Sequence, residues 1–398
     1  MDFWFRCCVC SAQTPFGLRE TKCACGGTLL VEYDLERAAR DMTKAALRAR
    51  PASMWRYAEL LPVSNPEFIV SLGEGWTPLL RLDAAERALP LGKLWVKREE
   101  QNPTGSFKAR GMSVALSVAR EHGVRKVAVN SNGNAASALA AYAARAGMEA
   151  YAFLPKDCPW MIAEECVHYG ARTTLVDGFI HDAGKIILDG KAEQGWHHVG
   201  TLREPGRAEG KKTMGLELAE QLGWKLPDVI VYPTGGGSGI IGMWSAFRQL
   251  RELGWIDGKL PRIVAVQETG CAPIVRAMSG RSGPEAAVDS TPTGMRVPNP
   301  PDGQLLVRIL RETGGTAVEV SADDIRSAQT VMGKLGVSSS PEGAATWAGL
   351  AVLLDRGWIG PDEEVVLFNT SHAMKYWPKD GRSLPEVRSY EDWKKIQP

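Results

Sequence analysis

The chain lacks a charge imbalance: its 398 residues carry 47 basic and 46 acidic side chains, for a formal net charge of +1. Surfaces that bind nucleic acid or anionic membranes show a basic excess, so nothing in the overall balance calls for either partner. Long apolar runs are also missing. The longest small-residue stretch, Ala135 to Ala144, is far short of the roughly 20 residues that span a bilayer. The opening Met1-Asp2-Phe3-Trp4-Phe5-Arg6 has an acid where a signal peptide has bases, so a cytoplasmic location is expected. Repeats and low-complexity tracts are absent. What remains is an ordinary globular composition, 44% hydrophobic and 23% charged, on a length that suggests roughly two to three domains.

Five of the eight cysteines (Cys7, Cys8, Cys10, Cys23, Cys25) fall within the first 25 residues. In a reducing compartment such clustering favours metal over disulfides. Cys7 and Cys10 form a C-x-x-C, but Cys23 and Cys25 form only a C-x-C before Gly26-Gly27, one residue short of a standard zinc-ribbon knuckle. Residues 1–34 are therefore expected to form a cysteine-rich, zinc-ribbon-like module. Its ligands would be Cys7, Cys10, Cys23 and Cys25, with Cys8 as a substitute; a ribbon that folds without metal is the competing expectation. Either version is structural, because four protein ligands leave no open position for chemistry.

From Leu94 onward short β-rich runs alternate with longer helical ones, which implies a doubly wound α/β architecture. Lys126–Asn130, Glu149–Leu154 and Arg172–Val176 read as strands; Phe107–His122, Ala135–Arg145, Trp160–Tyr169 and Met243–Leu253 read as helices. Asp228–Tyr232, Arg262–Val266 and Glu364–Phe368 are continuous apolar runs of the kind buried on both faces of a parallel sheet. Ser279–Asp302, rich in Gly, Pro and Ser, reads as a long loop near a site or a domain edge.

Ligands of such sheets bind beyond the carboxyl ends of the strands, so the residues that follow each strand carry the chemistry. After Asn130 comes Ser131-Asn-Gly-Asn-Ala-Ala-Ser137, a polar turn that opens a helix. After Tyr232 comes Pro233-Thr-Gly-Gly-Gly-Ser-Gly239. Its glycines permit close backbone approach, and a helix N-terminus behind them suits a phosphate. With neither the G-x-G-x-x-G spacing nor a Walker lysine, it points to a monophosphate held by backbone amides. After Phe368 comes Asn369-Thr-Ser-His372. The fourth element is Asn102–Gly111, Asn-Pro-Thr-Gly-Ser-Phe-Lys-Ala-Arg-Gly, which sets Lys108 in the first turn of a helix, where positive helix-end potential biases an amine toward its neutral, nucleophilic form.

A reactive lysine, a monophosphate cradle and a hydroxyl-bearing strand end together suit pyridoxal phosphate. In these motifs the chain resembles the fold-type II pyridoxal-phosphate enzymes of the tryptophan synthase β-like kind, and most closely the threonine synthase family, over nearly its whole length. The matching pieces occur in family order: Cys-Gly-Gly with Tyr33-Asp34, Gly73-Glu-Gly-Trp-Thr-Pro78, the Lys108 motif, Ser131-x-Gly-Asn134, Arg207 with Glu209-Gly-x-Lys-Thr213, the Gly235 loop, Pro341-Glu-Gly-Ala344 and Thr370–Tyr376. The resemblance implies a covalent link between Lys108 and the cofactor, with Asn134, Thr234, Gly235, Gly236, Gly237, Ser238 and Thr370 holding it. It implies that Ser131, Asn132, Gly133 and Ala135 receive the substrate carboxylate, and that Arg207, with Lys212 as a lesser candidate, clamps a substrate phosphate. The implied reaction turns O-phosphohomoserine and water into threonine and phosphate. The implied organisation is a large α/β domain from 35–105 and 206–378, a smaller one from 106–205, and a tail from 379–398.

The chain departs from the family pattern near the expected substrate. Ala109 replaces an acid, Ala135 a hydroxyl and Asn132 a serine; Thr201–Gly206 replaces a more polar run, and Thr-Ser-His-Ala-Met-Lys375, from Ser371 on, departs from the usual Thr-Gly-x-Gly-Leu-Lys. These departures keep a serine or threonine ammonia-lyase, or a β-replacement enzyme, as the alternative. The expected partners are a small amino-acid substrate and no nucleic acid or membrane, with a homodimer left open.

Overall fold

A computed structural model describes residues 2–18, 21–201, 203–281, 292–379 and 385–395. Its larger sheet has six strands in the order Thr316–Val320, Arg262–Glu268, Val229–Pro233, Glu364–Asn369, Lys93–Arg98, Leu79–Arg81. All neighbours are parallel except Leu79–Arg81, which runs antiparallel along the edge. A second, parallel sheet has the order Arg172–Val176, Glu149–Pro155, Lys126–Asn130, His197–His198. The N-terminal residues form a small antiparallel sheet, Gln13–Pro15, Phe3–Cys7 and Leu29–Tyr33. The α/β class with an N-terminal cysteine-rich ribbon is thus the architecture of the chain. Among the described residues no helix is long and apolar enough to cross a membrane.

The apolar runs become central strands for the reason their composition suggests. Val229–Pro233 is buried at every position, because helices cover both faces of its sheet. Arg172–Val176 is a strand as expected, but at an edge, with Arg172, Thr174 and Leu175 exposed. Helix Asn134–Ala146 closes on Gly147 in the left-handed conformation, a stop that the sequence announces. The helix read as starting at Met243 already begins at Ser238, because only the glycines before it stay non-helical. Part of the long loop, 282–291, lies outside the described residues; 292–302 forms neither helix nor strand and borders the cleft described below.

Between the sheets lies a buried ionic cluster. Arg110 Nε meets Glu99 Oε2 at 2.6 Å and its Nη1 meets Glu217 Oε1 at 2.6 Å, while Lys97 Nζ meets Glu217 Oε2 at 3.0 Å. All four side chains are inaccessible to solvent. The cluster also orders the Gly73–Pro78 motif. Trp76, at a φ of +50°, donates its N–H to Glu217 at 2.7 Å, and Thr77 Oγ1 donates to Glu99 at 2.7 Å. Gly75, at a φ of +91°, admits no side chain, since a Cβ would lie 2.4 Å from Met54 N.

Removing one member of a buried, charge-balanced cluster strands its partners, at a cost of about 3–5 kcal/mol. Arg110→Ala is expected to lose that much in denaturant unfolding. Burial pushes the Glu217 carboxyl up, but Arg110 and Lys97 outweigh it and hold the group at about 2, below its ordinary 4.5. The stability it contributes is therefore complete above its unfolded value and is lost as pH falls toward about 2. Glu217→Gln should flatten the acid-side fall of the melting temperature; identical acid profiles for the two proteins would contradict this.

Candidate active site

A cleft of about 430 Å³ opens where the carboxyl ends of the two sheets face each other. Lys108, the Ser131–Ala135 turn, Gly235–Ser238 and Thr370 all line it, so the three strand ends and the lysine motif converge as their positions in a doubly wound sheet require.

Lys108 begins helix Lys108–Glu121 and is presented by a short clip between two segments. Phe107 N donates to Thr370 O at 3.0 Å, His372 N donates to Gly105 O at 3.0 Å, and Ser106 bridges to Ser371. Thr104 adopts a φ of +59°, unusual for a side-chain-bearing residue, and its carbonyl accepts from Lys375 Nζ at 2.6 Å. The Lys108 amine lies 4.4 Å from the Phe107 ring centroid. Burial first, then the Arg207 guanidinium, lowers its pKa to about 7, against the opposing pull of the Glu342 carboxylate. The neutral bias expected from the helix end is therefore present, with burial and a neighbouring cation as its causes.

In the Ser131 turn, Ser131 Oγ donates to Gly133 O and accepts from Gly133 N, both at 3.0 Å. No side chain caps helix Asn134–Ala146. Asn134 Nδ2 donates to Tyr376 Oη at 2.8 Å, and Asn132 Nδ2 donates to Thr293 O at 3.2 Å.

The glycine loop is tightly enclosed. A Cβ on Gly235 would lie 2.9 Å from Gly294 O, and Gly237, at a φ of +77°, has its Cβ direction filled by Leu306. The helix that follows, Ser238–Glu252, also has no side-chain cap. Thr234 is buried but does not line the cleft; its hydroxyl is donated to Tyr232 O at 3.0 Å.

Arg207 does not line the cleft either. It is fully buried behind the segment carrying Gly200, Thr201 and Arg203, with Nη1 donating to Val199 O at 2.9 Å. Its Nε and Nη2 have no partner among the described residues. Burial lowers its pKa to about 10, opposed by Glu204, whose own carboxyl burial raises to about 7. Lys212, the lesser clamp candidate, does not line the cleft: it is buried, 2.6 Å from Glu209 and 3.8 Å from the Tyr33 ring centroid.

Three residues at this site lie within the quoted motifs but received no role from the sequence. Glu342 Oε1 accepts from Gly294 N at 2.9 Å, and its charge acts on Lys108, so an acid stands near the lysine although Ala109 removes the adjacent one. Tyr376 lines the cleft and holds Asn134. Lys211 Nζ donates to Ser238 Oγ at 2.7 Å, so the glycine loop has a lysine after all, supplied from another helix. Only helical spacing signalled it: Lys211 is one turn beyond Arg207.

In the ribbon the Sγ atoms of Cys7, Cys10, Cys23 and Cys25 lie within 4.8 Å of one another, with Cys7···Cys25 at 3.5 Å and Cys10···Cys23 at 3.7 Å. Cys8 is outside this set.

Residues 70–371 match the family described as "Pyridoxal-phosphate dependent enzyme". The chain belongs to this family, in its fold-type II branch. Within it, the chain is 35% identical over 376 residues to the threonine synthase of Methanocaldococcus jannaschii, covering 93% of this chain and 92% of that protein. It is 37% identical over 380 residues to the threonine synthase of Methanosarcina acetivorans, covering 94% and 92%. Among solved structures, the processed form of threonine deaminase isoform 2 from Solanum lycopersicum superposes with a TM-score of 0.64 at 22% identity, over 80% of this chain and 82% of that one, a likeness of fold.

With a pKa of about 7, Lys108 should react with an amine reagent at a rate that rises through neutral pH and levels off above it, when assayed on protein stripped of cofactor. Arg207→Met should move the midpoint up and Glu342→Gln should move it down. A midpoint near the ordinary 10.5 would refute the burial argument.

Proposed function

We propose that the protein is a threonine synthase, converting O-phosphohomoserine and water to threonine and phosphate. The observation that carries this reading is a fully buried Arg207, with two guanidinium nitrogens unpartnered among the described residues, acting electrostatically on a lysine that is partly neutral at pH 7. An arginine left short of partners is suited to a phosphate, which accepts its hydrogen bonds in pairs. Identities of 35% and 37% to threonine synthases over nearly the whole chain support the same assignment.

The cleft's own chemistry fits pyridoxal phosphate. Asn132 Oδ1, Asn134 Oδ1 and Tyr232 Oη are buried on its walls without partners among the described residues. Such orphans call for a polar occupant. Lys108 would hold the cofactor covalently, Gly235–Ser238 its phosphate, Asn134 its ring oxygen and Thr370 its ring nitrogen. When bound, this cofactor supplies an aldehyde for the substrate amine and a conjugated ring that takes up the electrons of a departing proton.

The protein's part is positioning and proton transfer. The uncapped start of helix Asn134–Ala146 offers free N–H groups to the substrate carboxylate. Lys108 Nζ, partly neutral at pH 7, would take the proton from the substrate Cα and then the Cβ proton whose electron pair expels phosphate from Cγ; protons return to Cγ and Cα, the hydroxyl of water adds at Cβ, and its remaining proton leaves with the phosphate. Arg207, from behind the cleft wall, adds positive potential that favours the leaving phosphate. Thr370, a neutral hydroxyl, does not force a proton onto the ring nitrogen, which favours elimination and replacement over transamination.

A second reading, a serine or threonine ammonia-lyase or β-replacement enzyme, is favoured by the withdrawal of Arg207 behind the cleft wall and by the apolar Ala135 on it. Purified protein supplied with cofactor should release phosphate and threonine in equal amounts from O-phosphohomoserine. Keto acid from serine or threonine with no phosphate release would replace the first reading by the second.

We also propose that Cys7, Cys10, Cys23 and Cys25 hold a structural zinc. Tetrahedral Zn–S bonds of about 2.3 Å need Sγ···Sγ spacings of about 3.8 Å, close to the 3.5 and 3.7 Å present. Elemental analysis should find one zinc per chain, with a lower melting temperature after chelation; metal-free protein of unchanged stability would refute the site.

A further inference from the structure

Lys211 is inaccessible to solvent, and its Nζ donates to Ser238 Oγ at 2.7 Å, in the first turn behind the glycine loop. An ammonium has three N–H groups to satisfy, and a buried one facing a neutral hydroxyl is costly to keep. The surroundings add to that cost: Arg207 lies one turn away on the same helix, and the Lys108 and Lys211 amines are 4.4 and 5.8 Å from the same Phe107 ring centroid. Against these three cations stand Glu204, whose burial raises its pKa to about 7, and Glu342, which opposes the lowering at Lys108. Burial, Arg207 and Lys108 together push the Lys211 pKa well down. The site is therefore short of negative charge.

The hydrogen bond to Ser238 has a direction. Once an anion in the cradle holds Lys211 protonated, its ammonium can only donate, so Ser238 Oγ accepts from it and the serine's own hydroxyl hydrogen is free to point elsewhere. Ser238 lines the cleft, the start of its helix is uncapped, and the buried hydroxyl of Tyr232 on the same wall has no partner among the described residues. A Cβ at Gly239 would lie 2.1 Å from that Tyr232 hydroxyl, so the backbone passes close beneath the loop.

We propose that Lys211 is a positioning residue that charges the phosphate cradle through Ser238: its ammonium orients the serine hydroxyl toward the cleft and places a buried positive charge behind the loop, selecting a phosphate monoester dianion. This rests on the reading of the cleft as a pyridoxal-phosphate site. It differs from backbone amides acting alone in that the preference for the phosphorylated cofactor depends on the lysine's charge.

The test compares binding of pyridoxal phosphate and of unphosphorylated pyridoxal to the cofactor-stripped full chain, for wild type, Lys211→Gln and Lys211→Arg. Glutamine can still donate to Ser238 but carries no charge. Lys211→Gln should lower the preference for the phosphorylated form tenfold or more while leaving pyridoxal binding nearly unchanged, and Lys211→Arg should restore most of it. If Lys211 only props the loop, both ligands weaken together or neither does, and the inference is overturned. Should the glutamine variant fail to fold by circular dichroism, Ser238→Ala in the unsubstituted background must show the same selective loss, and an unchanged preference overturns the proposal. Wild-type protein that binds pyridoxal as tightly as pyridoxal phosphate would instead sink the cofactor reading itself.

Discussion

The buried cluster of Arg110, Glu99, Glu217 and Lys97 is the constraint on which the rest of the site depends. Arg110 is two residues beyond Lys108 on the same helix, and Glu217 belongs to the helix that carries Arg207 and Lys211. Lys97 and Glu99 belong to the end of a strand in the larger sheet and the turn after it. One charge-balanced cluster therefore locks the reactive lysine, the buried cations and the larger sheet into a single relative position. Its members also accept the backbone N–H of Trp76 and the hydroxyl of Thr77, so the Gly73–Pro78 motif acts at a distance from the cleft by closing this cluster.

A second junction ties the cysteine ribbon to the same helix. Tyr33 donates to Glu209 at 2.6 Å, and Lys212 pairs with Glu209 while lying over the Tyr33 ring. On the other side, Lys22 pairs with Asp302 at 2.6 Å, beside the segment that borders the cleft. The ribbon thus braces two walls of the site without contributing to its lining. Alternate residues of helix Gly206–Gln221 consequently serve different ends: Arg207 and Lys211 toward the site, Glu209 and Lys212 toward the ribbon, Thr213 and Glu217 toward the ionic cluster.

Much of this was legible in the chain. The continuous apolar runs read at 228–232, 262–266 and 364–368 are parallel strands, each ending one or two residues later, because a strand buried on both faces has no polar side to show. The Asn134 turn, the glycine loop and the Thr370 segment were visible as breaks after strands, the lysine decapeptide as the opening of a helix, and they do meet. Thr234 and Lys212 were less legible, since a hydroxyl or an ammonium can find a local partner that no motif reports. Thr234 turns to a carbonyl two residues back, and Lys212 turns to an acid three residues back. Lys211 was the opposite case: in sequence it is a basic residue among many, and it becomes part of the glycine loop only through the packing of two helices.

The sequence by itself determined the fold class and the family, because hydrophobic periodicity and the order of short motifs are properties of the chain that any folded form must satisfy. Only the tertiary structure decided the electrostatics of the cleft. The pKa of Lys108 near 7, the partner-poor guanidinium of Arg207 and the lysine behind Ser238 arise from burial and from charges distant along the chain. Charge interactions depend on separation and on the exclusion of water, and neither quantity exists until the helices have packed.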